Sequence, residues 1–429
     1  MTNKAYTFVV LAAGHGKRMN SSLPKVLHKI GNFSMLEHVI YNAKQLNPEK
    51  IVIVVDLPLT QRLKCFEGIK LITQESTLGT GDAVKIAMRN LKELSDIVVV
   101  QYGDTPLIKS STITKMISCL GESNALVCLG FKTNNKGYGR LIIENGSLRE
   151  IVEAQNGRNN DEEFLANAGI MVAREKNLRE LVEKIECNNQ AHEYYLTGIV
   201  AIAVKSNLNV GYVIADEEEA TGINNRNDLA TAEFYFQEEK RKFFTNSGVT
   251  LVAPETVFFS LDTQIGMDSI IYPYVFFGTG VKIESGAKIL PFSHLENCLI
   301  KSNVEVGPFT RIRGNTTIGN KAIIGNFVET KASDIGINTK IKHLSYIGNT
   351  QVGQGSNIGA GTVVCNYDGK KKRKTNIGSN CFIGANSSLI APLNVHDDSV
   401  IAAGSVIVED VPEKSLAIAR EKQVIKRIK

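Results

Sequence analysis

The chain has 429 residues, a length for two or three domains. Hydrophobic residues make up 43% and charged residues 22%, which excludes wholesale disorder and fibrous classes. The net charge of +5 is too small to imply a nucleic-acid partner, and no apolar run approaches the roughly 20 residues of a membrane span.

Seven cysteines are scattered from Cys65 to Cys381 with no CxxC pair. That argues against a disulfide framework and a zinc site, and fits a reducing cytoplasm. The opening residues lack a signal-peptide cleavage pattern, so a cytoplasmic protein is expected.

Thr7 to Ala12 is an apolar run that leads into a glycine-rich loop. A helix is predicted over Met35 to Leu46, a strand over Lys50 to Asp56, a helix over Asp82 to Leu94 and a strand over Asp96 to Gln101. Continuous Val/Ile runs separated by helices predict an α/β domain with a parallel sheet covered on both faces. In such sheets ligands bind beyond the carboxyl ends of the strands. Asp228 to Phe244 contains no Gly or Pro, and Asn246-Ser247-Gly248 stops it. It predicts a linker helix that can shield one open end of the second domain.

From about Leu251 the pattern changes. Ile/Val-Gly pairs recur from Ile265-Gly266 to Ile383-Gly384, and Ile318 to Ile324, Val352 to Ile358 and Ile377 to Ile383 are each spaced by six. A six-residue repeat predicts a parallel β-helix, with one short strand and one corner per hexad. Aliphatic side chains point inward, and coils must stack because one coil cannot bury its own ends. The rival reading is a Gly-rich β-sandwich with chance pairs. The expected domains are 1–226, a linker helix over 227–247, and a β-helix over 248–429.

The glycine-rich loop is Leu11-Ala12-Ala13-Gly14-His15-Gly16-Lys17-Arg18-Met19, followed by Leu23-Pro24-Lys25. The dinucleotide fingerprint wants a third Gly where Met19 stands, and the P-loop wants Ser or Thr where Arg18 stands. The physics of both survives. Glycines let backbone N–H groups approach phosphate, while Arg18 and Lys25 add positive charge.

In the β-helix, polar segments break the hexads: Asn326 to Lys331, His343 to Gly348, and Cys365 to Gly369 followed by the basic run Lys370 to Lys374. Such interruptions map to loops on one face, often the binding face. The basic run reads first as a solvated loop. His343, in company with Lys331, Tyr346, Asn366 and Tyr367, is the best candidate for a general base.

The loop and Pro24-Lys25 resemble the sugar-1-phosphate nucleotidylyltransferases. Three more segments agree: Gln74 leading into Leu78-Gly79-Thr80-Gly81, Tyr102-Gly103-Asp104-Thr105-Pro106-Leu107, and Gly137-Tyr138-Gly139-Arg140. Joined to hexapeptide repeats, the chain resembles, over essentially its whole length, a bacterial family of bifunctional enzymes. These are the N-acetylglucosamine-1-phosphate uridylyltransferase / glucosamine-1-phosphate N-acetyltransferases. The implied fold is a Rossmann-like, mostly parallel α/β domain plus a left-handed parallel β-helix. That hand is an exception to the usual right-handed crossover, and composition alone does not reveal it.

The resemblance implies roles. Leu11, Ala12, Ala13 and Gly14 hold the uracil and ribose side, and Gln74, Gly79, Thr80 and Gly81 complete the uridine pocket. Tyr102 and Gly103 belong to the wider set that binds the nucleotide or the UDP-sugar. Gly139, Glu153 and Asn167 face the sugar. Lys25 and Arg18 serve the phosphates and catalysis, and Asp104 and Asn224 ligate Mg²⁺. In the β-helix, His343 accepts the proton of the glucosamine-1-phosphate amine. Arg313, Lys331, Tyr346, Asn357, Asn366 and Tyr367 bind the amino-sugar phosphate. Ala360, Ala385, Ala403 and Arg420 line the acetyl-CoA path.

The substrates are then glucosamine-1-phosphate, N-acetylglucosamine-1-phosphate, UTP and acetyl-CoA, in a cytoplasmic homotrimer that binds no nucleic acid and spans no membrane. The product, UDP-N-acetylglucosamine, would feed peptidoglycan and lipopolysaccharide synthesis. Three positions depart from the family pattern. Asp82 stands where His is frequent, Gly314 where Pro is usual, and Ala385 where Ser is common. The tail from Ala419 is basic and shorter than in many relatives. Rival readings are a single-function nucleotidylyltransferase with a structural β-helix, and a non-catalytic scaffold. Intact Lys25, Asp104 and Asn224 argue against the scaffold.

Overall fold

The computed structural model describes residues 5–14, 16–63, 68–91, 95–154, 163–187 and 192–428. The chain divides into two compact units, Met1–Phe236 and Gln237–Lys429.

In the first unit, Tyr6–Leu11 lies inside a sheet between Lys50–Val55 and Ile97–Tyr102, and both neighbours run parallel to it. The strand path is Asn209–Ala215, Asn124–Thr133, Phe164–Arg174, Ile97–Tyr102, Tyr6–Leu11, Lys50–Val55, Ile69–Thr73. Successive side chains of a strand face opposite sides, so runs such as Val98, Val99 and Val100 feed two cores at once. Val9, Val52 and Val98 share one core with Val84, Ala87 and Met88 of the helix Thr80–Asn90. Phe8 and Val99 share another with Ile113 and Met116 of the helix Ser110–Leu120.

The sheet is mixed rather than parallel throughout. Phe164–Arg174 runs antiparallel to both of its path neighbours. It is preceded by the antiparallel pair Arg140–Glu144 and Ser147–Val152, with no crossover helix between these strands among the described residues, and an antiparallel return needs none. The helix expected over Asp82 to Leu94 runs instead over Thr80–Asn90, capped by Gly79 at φ +105°. Residues 92–94 lie outside the described residues, as does His15 of the glycine-rich loop.

A 21-residue helix, Arg226–Asn246, contains the division between the units. Phe236 packs edge-on to His38 in the first unit, with ring centroids 5.3 Å apart. In the second unit, Phe244 is buried among β-helix residues, 4.8 Å from Phe259 between centroids. Gln237 exchanges two 2.8 Å hydrogen bonds with the backbone of Phe259. The first coil is thereby plugged by a ring and tied by an amide.

The coils beyond form three parallel sheets of ten, eight and eight strands. Ile271, Ile289, Val306, Ile324, Ile341, Ile358, Ile383 and Ile401 stack in register down one wall, all buried. At one corner Tyr274, Phe292, Phe309 and Phe327 all adopt left-handed φ between 55° and 60°. Their rings stack 5.0, 4.8 and 5.2 Å apart and stay half-exposed. Leu344 continues this column at φ 52°, which places His343 at the same corner.

Candidate active sites

In the first unit, strand ends and loops converge on a cavity of about 250 Å³. It is lined by Leu11 to Gly14, Arg18, Lys25, Thr80, Tyr102, Asp104 and Asn224, among others. The strands arrive in line because Ala12 N–H donates to Val54 O and Gly103 N–H donates to Leu11 O, both at 2.8 Å. Two loops that are remote in sequence meet here. Ile223 N–H donates to Asp104 O at 2.9 Å. Tyr138 Oη both donates to Gly222 O and accepts from Gly222 N–H, at 3.1 Å each. Burial pushes the Tyr138 phenol up to about 12, so it stays protonated and able to donate.

The charged groups pair across this junction. Lys25 Nζ donates to Asp104 Oδ2 and, at 3.3 Å, to Asn224 Oδ1. Arg18 Nη2 donates to the same Asn224 oxygen at 2.9 Å. Two oxygen acceptors therefore converge on one cationic nitrogen.

The expected uridine-pocket residues also come together. Gln74 is buried, and its Nε2 donates to Gly79 O at 3.3 Å and to Asp82 Oδ2 at 2.7 Å. Gly81 N–H donates to Tyr194 O, and Tyr194 N–H to Leu78 O, both at 2.7 Å. Gly139, Glu153 and Asn167 are neighbours: Asn167 N–H donates to Gly139 O at 2.7 Å, and a Cβ on Gly139 would lie 3.6 Å from Glu153 Oε2. Gly169 sits at φ +71° against the Tyr102 ring, where a Cβ would lie 2.5 Å from a ring carbon.

On the β-helix, Asn326 and His343 are register partners on adjacent coils. His343 Nδ1 lies 2.5 Å from Asn326 Oδ1. An amide oxygen only accepts, so Nδ1 is the donor of this contact, the tautomer that in a neutral ring leaves the lone pair on Nε2. The imidazole is exposed.

Arg313, Lys331 and Gly348 are in register on the neighbouring wall, as are Glu329 and Tyr346. Arg313 Nε donates to Glu329 Oε1 at 2.7 Å. The neighbouring Lys372 amine, then the charge of Arg313, hold the Lys331 ammonium below its ordinary value. Such crowding of cations is relieved by an anion. Gly348 leaves room for both Tyr346 Oη and Asn366 Nδ2, and Asn366 donates to Asn349 Oδ1 at 2.7 Å.

Ala360, Ala385 and Ala403 stack in one column, linked by Asn386 N–H to Ala360 O and Gly404 N–H to Ala385 O. Arg420 Nη1 closes the column by donating to Ala403 O at 2.8 Å. Asn357 is set apart from Arg313, Lys331 and Tyr346, since it pairs with Lys340 and Phe382 in a different sheet. Tyr367 Oη donates to Gly369 O within its own loop at 2.7 Å. Arg313 keeps its register position although Gly314 follows it, at φ +72°.

Sequence reasoning passes over four residues here. Thr197 Oγ1 donates to Glu153 Oε1 at 2.5 Å, and Tyr194 closes the glycine loop through its backbone. No local pattern marks either. Tyr138 stands out in the sequence only as part of a motif. Asn326 stands one coil before His343, and working out the coil register would have paired them.

Comparison with known proteins assigns both halves. A MobA-like NTP transferase domain matches residues 8–180. A bacterial transferase hexapeptide of six repeats matches 297–332, and a hexapeptide repeat of succinyl-transferase matches 374–409. A protein named "Bifunctional protein GlmU" from Wolbachia pipientis wMel is 83% identical, covering 100% of both chains. Another of that name, from Anaplasma marginale (strain Florida), is 46% identical over 97% of this chain and 98% of its own.

The chain belongs to the GlmU family. Like the family, it is a bifunctional transferase, with a nucleotidyltransferase half and a hexapeptide-repeat acyltransferase half. The GlmU fold class expected from the sequence, an α/β domain plus a left-handed β-helix, is the one found. Its substrates are small molecules, and among the described residues no helix is long and apolar enough to cross a membrane.

Proposed function

We propose that this GlmU-family protein makes UDP-N-acetylglucosamine by two transfers at two separate sites. Residues 248–429 acetylate glucosamine-1-phosphate, and residues 1–226 then uridylylate the product. The single observation that carries this reading is the Asn326–His343 pair. An imidazole with one nitrogen anchored and the other open to solvent is a base in waiting, and a purely structural β-helix has no use for it.

In acetyl transfer, the amine nitrogen of glucosamine-1-phosphate attacks the thioester carbonyl of acetyl-CoA. The C–N bond forms and the C–S bond breaks. His343 Nε2 takes the amine proton while Asn326 holds the ring. The CoA thiolate leaves and is protonated. Arg313 and Lys331 hold the sugar phosphate, with Tyr346, Asn366, Asn357 and Tyr367 around the sugar. The Ala360–Ala385–Ala403 column takes acetyl-CoA, with Arg420 toward its phosphates. Ala385 offers no hydroxyl, so contact there is through the methyl group and backbone.

In uridylyl transfer, an oxygen of N-acetylglucosamine-1-phosphate attacks the α-phosphorus of UTP. The new O–P bond forms, the α–β bridge breaks and pyrophosphate leaves. Leu11 to Gly14, Gln74 and Gly79 to Gly81 hold the uridine, beside Tyr102 and Gly103. Gly139, Glu153 and Asn167 hold the sugar. Lys25 and Arg18 offset the repulsion of the two anions.

Asp104 and Asn224 fit Mg²⁺. They are hard oxygen donors already gathered around one cation, and this ion usually takes few protein ligands. When bound, it supplies charge neutralisation at the phosphates.

The half-exposed aromatic column Tyr274–Phe292–Phe309–Phe327 supports a homotrimer, because stacked apolar side chains on an outer corner call for cover and cyclic closure supplies it. Seven cysteines without a CxxC pair support a cytoplasmic setting.

The test is separation of the reactions. Asp104→Ala should abolish uridylyl transfer and spare acetyl transfer, and His343→Ala should do the reverse. Loss of both activities in either folded variant would refute the two-site reading.

A further inference from the structure

Asp82 is the residue that departs from the family pattern within the glycine loop, and the structure gives it a partner. It lies in the first turn of Thr80–Asn90, where an acidic side chain suits the helix dipole. Its Oδ2 also accepts from Gln74 Nε2 at 2.7 Å. The second donor position of that amide faces Gly79 O at 3.3 Å. Both partners are acceptors only, so chemistry sets the amide orientation: the NH₂ group must face Asp82 and Gly79. Gln74 itself is buried, with 2% exposure, and its backbone N–H is held by Val55 O at 2.8 Å. Gln74 Oε1 takes no partner among the described residues.

We infer that Asp82 is a positioning residue for nucleobase choice: it locks the Gln74 amide so that only an acceptor is offered to the base. This deepens the uridylyl-transfer reading and rests on it. Uracil and cytosine differ at N3, which carries a proton in uracil and a lone pair in cytosine. A fixed amide oxygen attracts the N3–H of uracil and repels the N3 lone pair of cytosine. An amide that can turn over offers NH₂ instead and accommodates cytosine. A site that fixes one polar group discriminates because the wrong partner leaves buried groups unpaired.

The test compares kcat/KM for UTP and CTP, with N-acetylglucosamine-1-phosphate as acceptor, in the full-length protein and three variants. Asp82→Leu removes the acceptor. Asp82→Ser keeps a residue suited to a helix start but is too short to hold the amide. Asp82→Asn keeps an acceptor oxygen without the charge. In Asp82→Leu and Asp82→Ser the UTP:CTP ratio should fall about tenfold, the effect of one misdirected buried hydrogen bond. The fall should lie in KM for UTP and in new turnover of CTP, with kcat for UTP nearly unchanged. Asp82→Asn should keep most of the ratio, which a role through charge or helix dipole alone would not allow.

Thermal unfolding identifies any variant that fails to fold, and the other of the Leu and Ser pair then decides. A wild-type ratio in a folded Leu or Ser variant overturns the inference, as does an Asn variant as relaxed as the Leu variant. A wild-type protein that turns over no UTP would instead refute the uridylyl-transfer reading itself.

Discussion

Lys25 and Asp104 form an ion pair in which each side chain is less than a quarter exposed, at 16% and 21%. The ammonium also reaches Asn224. Lys25 therefore satisfies the two oxygen donors that would otherwise meet a divalent cation. A divalent ion entering there must release Lys25, which is then available to phosphate.

Lys25→Met is accordingly expected to strengthen Mn²⁺ binding to the nucleotide-free protein, by several-fold in calorimetric titration. Arg18→Met removes a like charge that touches Asn224 but not Asp104. It should have the smaller effect. Equal gains in the two variants would reduce the observation to general electrostatics.

Asn326→Ala should slow acetyl transfer about tenfold in kcat, the equivalent of about 1.4 kcal/mol for one orienting hydrogen bond. KM for acetyl-CoA should hold. Uridylyl transfer, measured in the same preparation, should be unaffected. An unchanged acetyl-transfer kcat would mean that the pair does not orient the base.

His28 is buried, and its Nδ1 lies 3.2 Å from Arg226 Nη1. Burial first, then the Arg226 charge, hold its imidazole below the ordinary histidine value. The unfolded chain thus takes up this proton at higher pH than the folded protein does. As pH falls through the ordinary value of about 6.5, stability should decline, and the loss is complete below the folded value. Denaturation midpoints at pH 8 and pH 5 should therefore differ less in His28→Gln than in the wild type. An equal difference would remove His28 from the acid sensitivity.

If the acetyl-transfer site is shared between copies, two inactive proteins can complement each other. His343→Ala and Arg420→Ala proteins, dissociated, mixed and reassembled, should regain part of the acetyl-transfer activity. Recovery requires that His343 of one copy works with Arg420 of another, so that some sites carry neither lesion. No recovery, with mixed assemblies confirmed by mass, would place both residues of a site in one chain.

Much of this architecture was legible because the chemistry is periodic or punctuated. The Ile-Gly pairs mark Ile324 and Ile358 as inward-facing, and both stack on one inner wall with Ile341 between them. Ala12 and Gly103 come just after apolar runs, and the sheet places both beside the cavity. The reversal of Phe164–Arg174 was not legible, since a strand buried on both faces has the same composition in either direction. Nor were contacts across long separations. Tyr138 meets Gly222, and Thr197 meets Glu153, only because loops from distant strands end at the same edge. Asp82 was marked as unusual, but the amide it holds could be found only in three dimensions.

The helix Arg226–Asn246 gives side chains to two cores: Phe236 to the first, beside His38, and Phe244 to the second, beside Phe259. It is thus structural property held in common, and a cut between Phe236 and Gln237 leaves each of these side chains with its own unit. A chimera joined at the Ser247–Gly248 turn would carry the β-helix away from its own plug, leaving Phe259 and Val257 against a helix that is not their own. Exchange of one half between relatives should therefore keep Gln237 to Asn246 with the repeats. Phe236 and the residues before it should stay with the sheet.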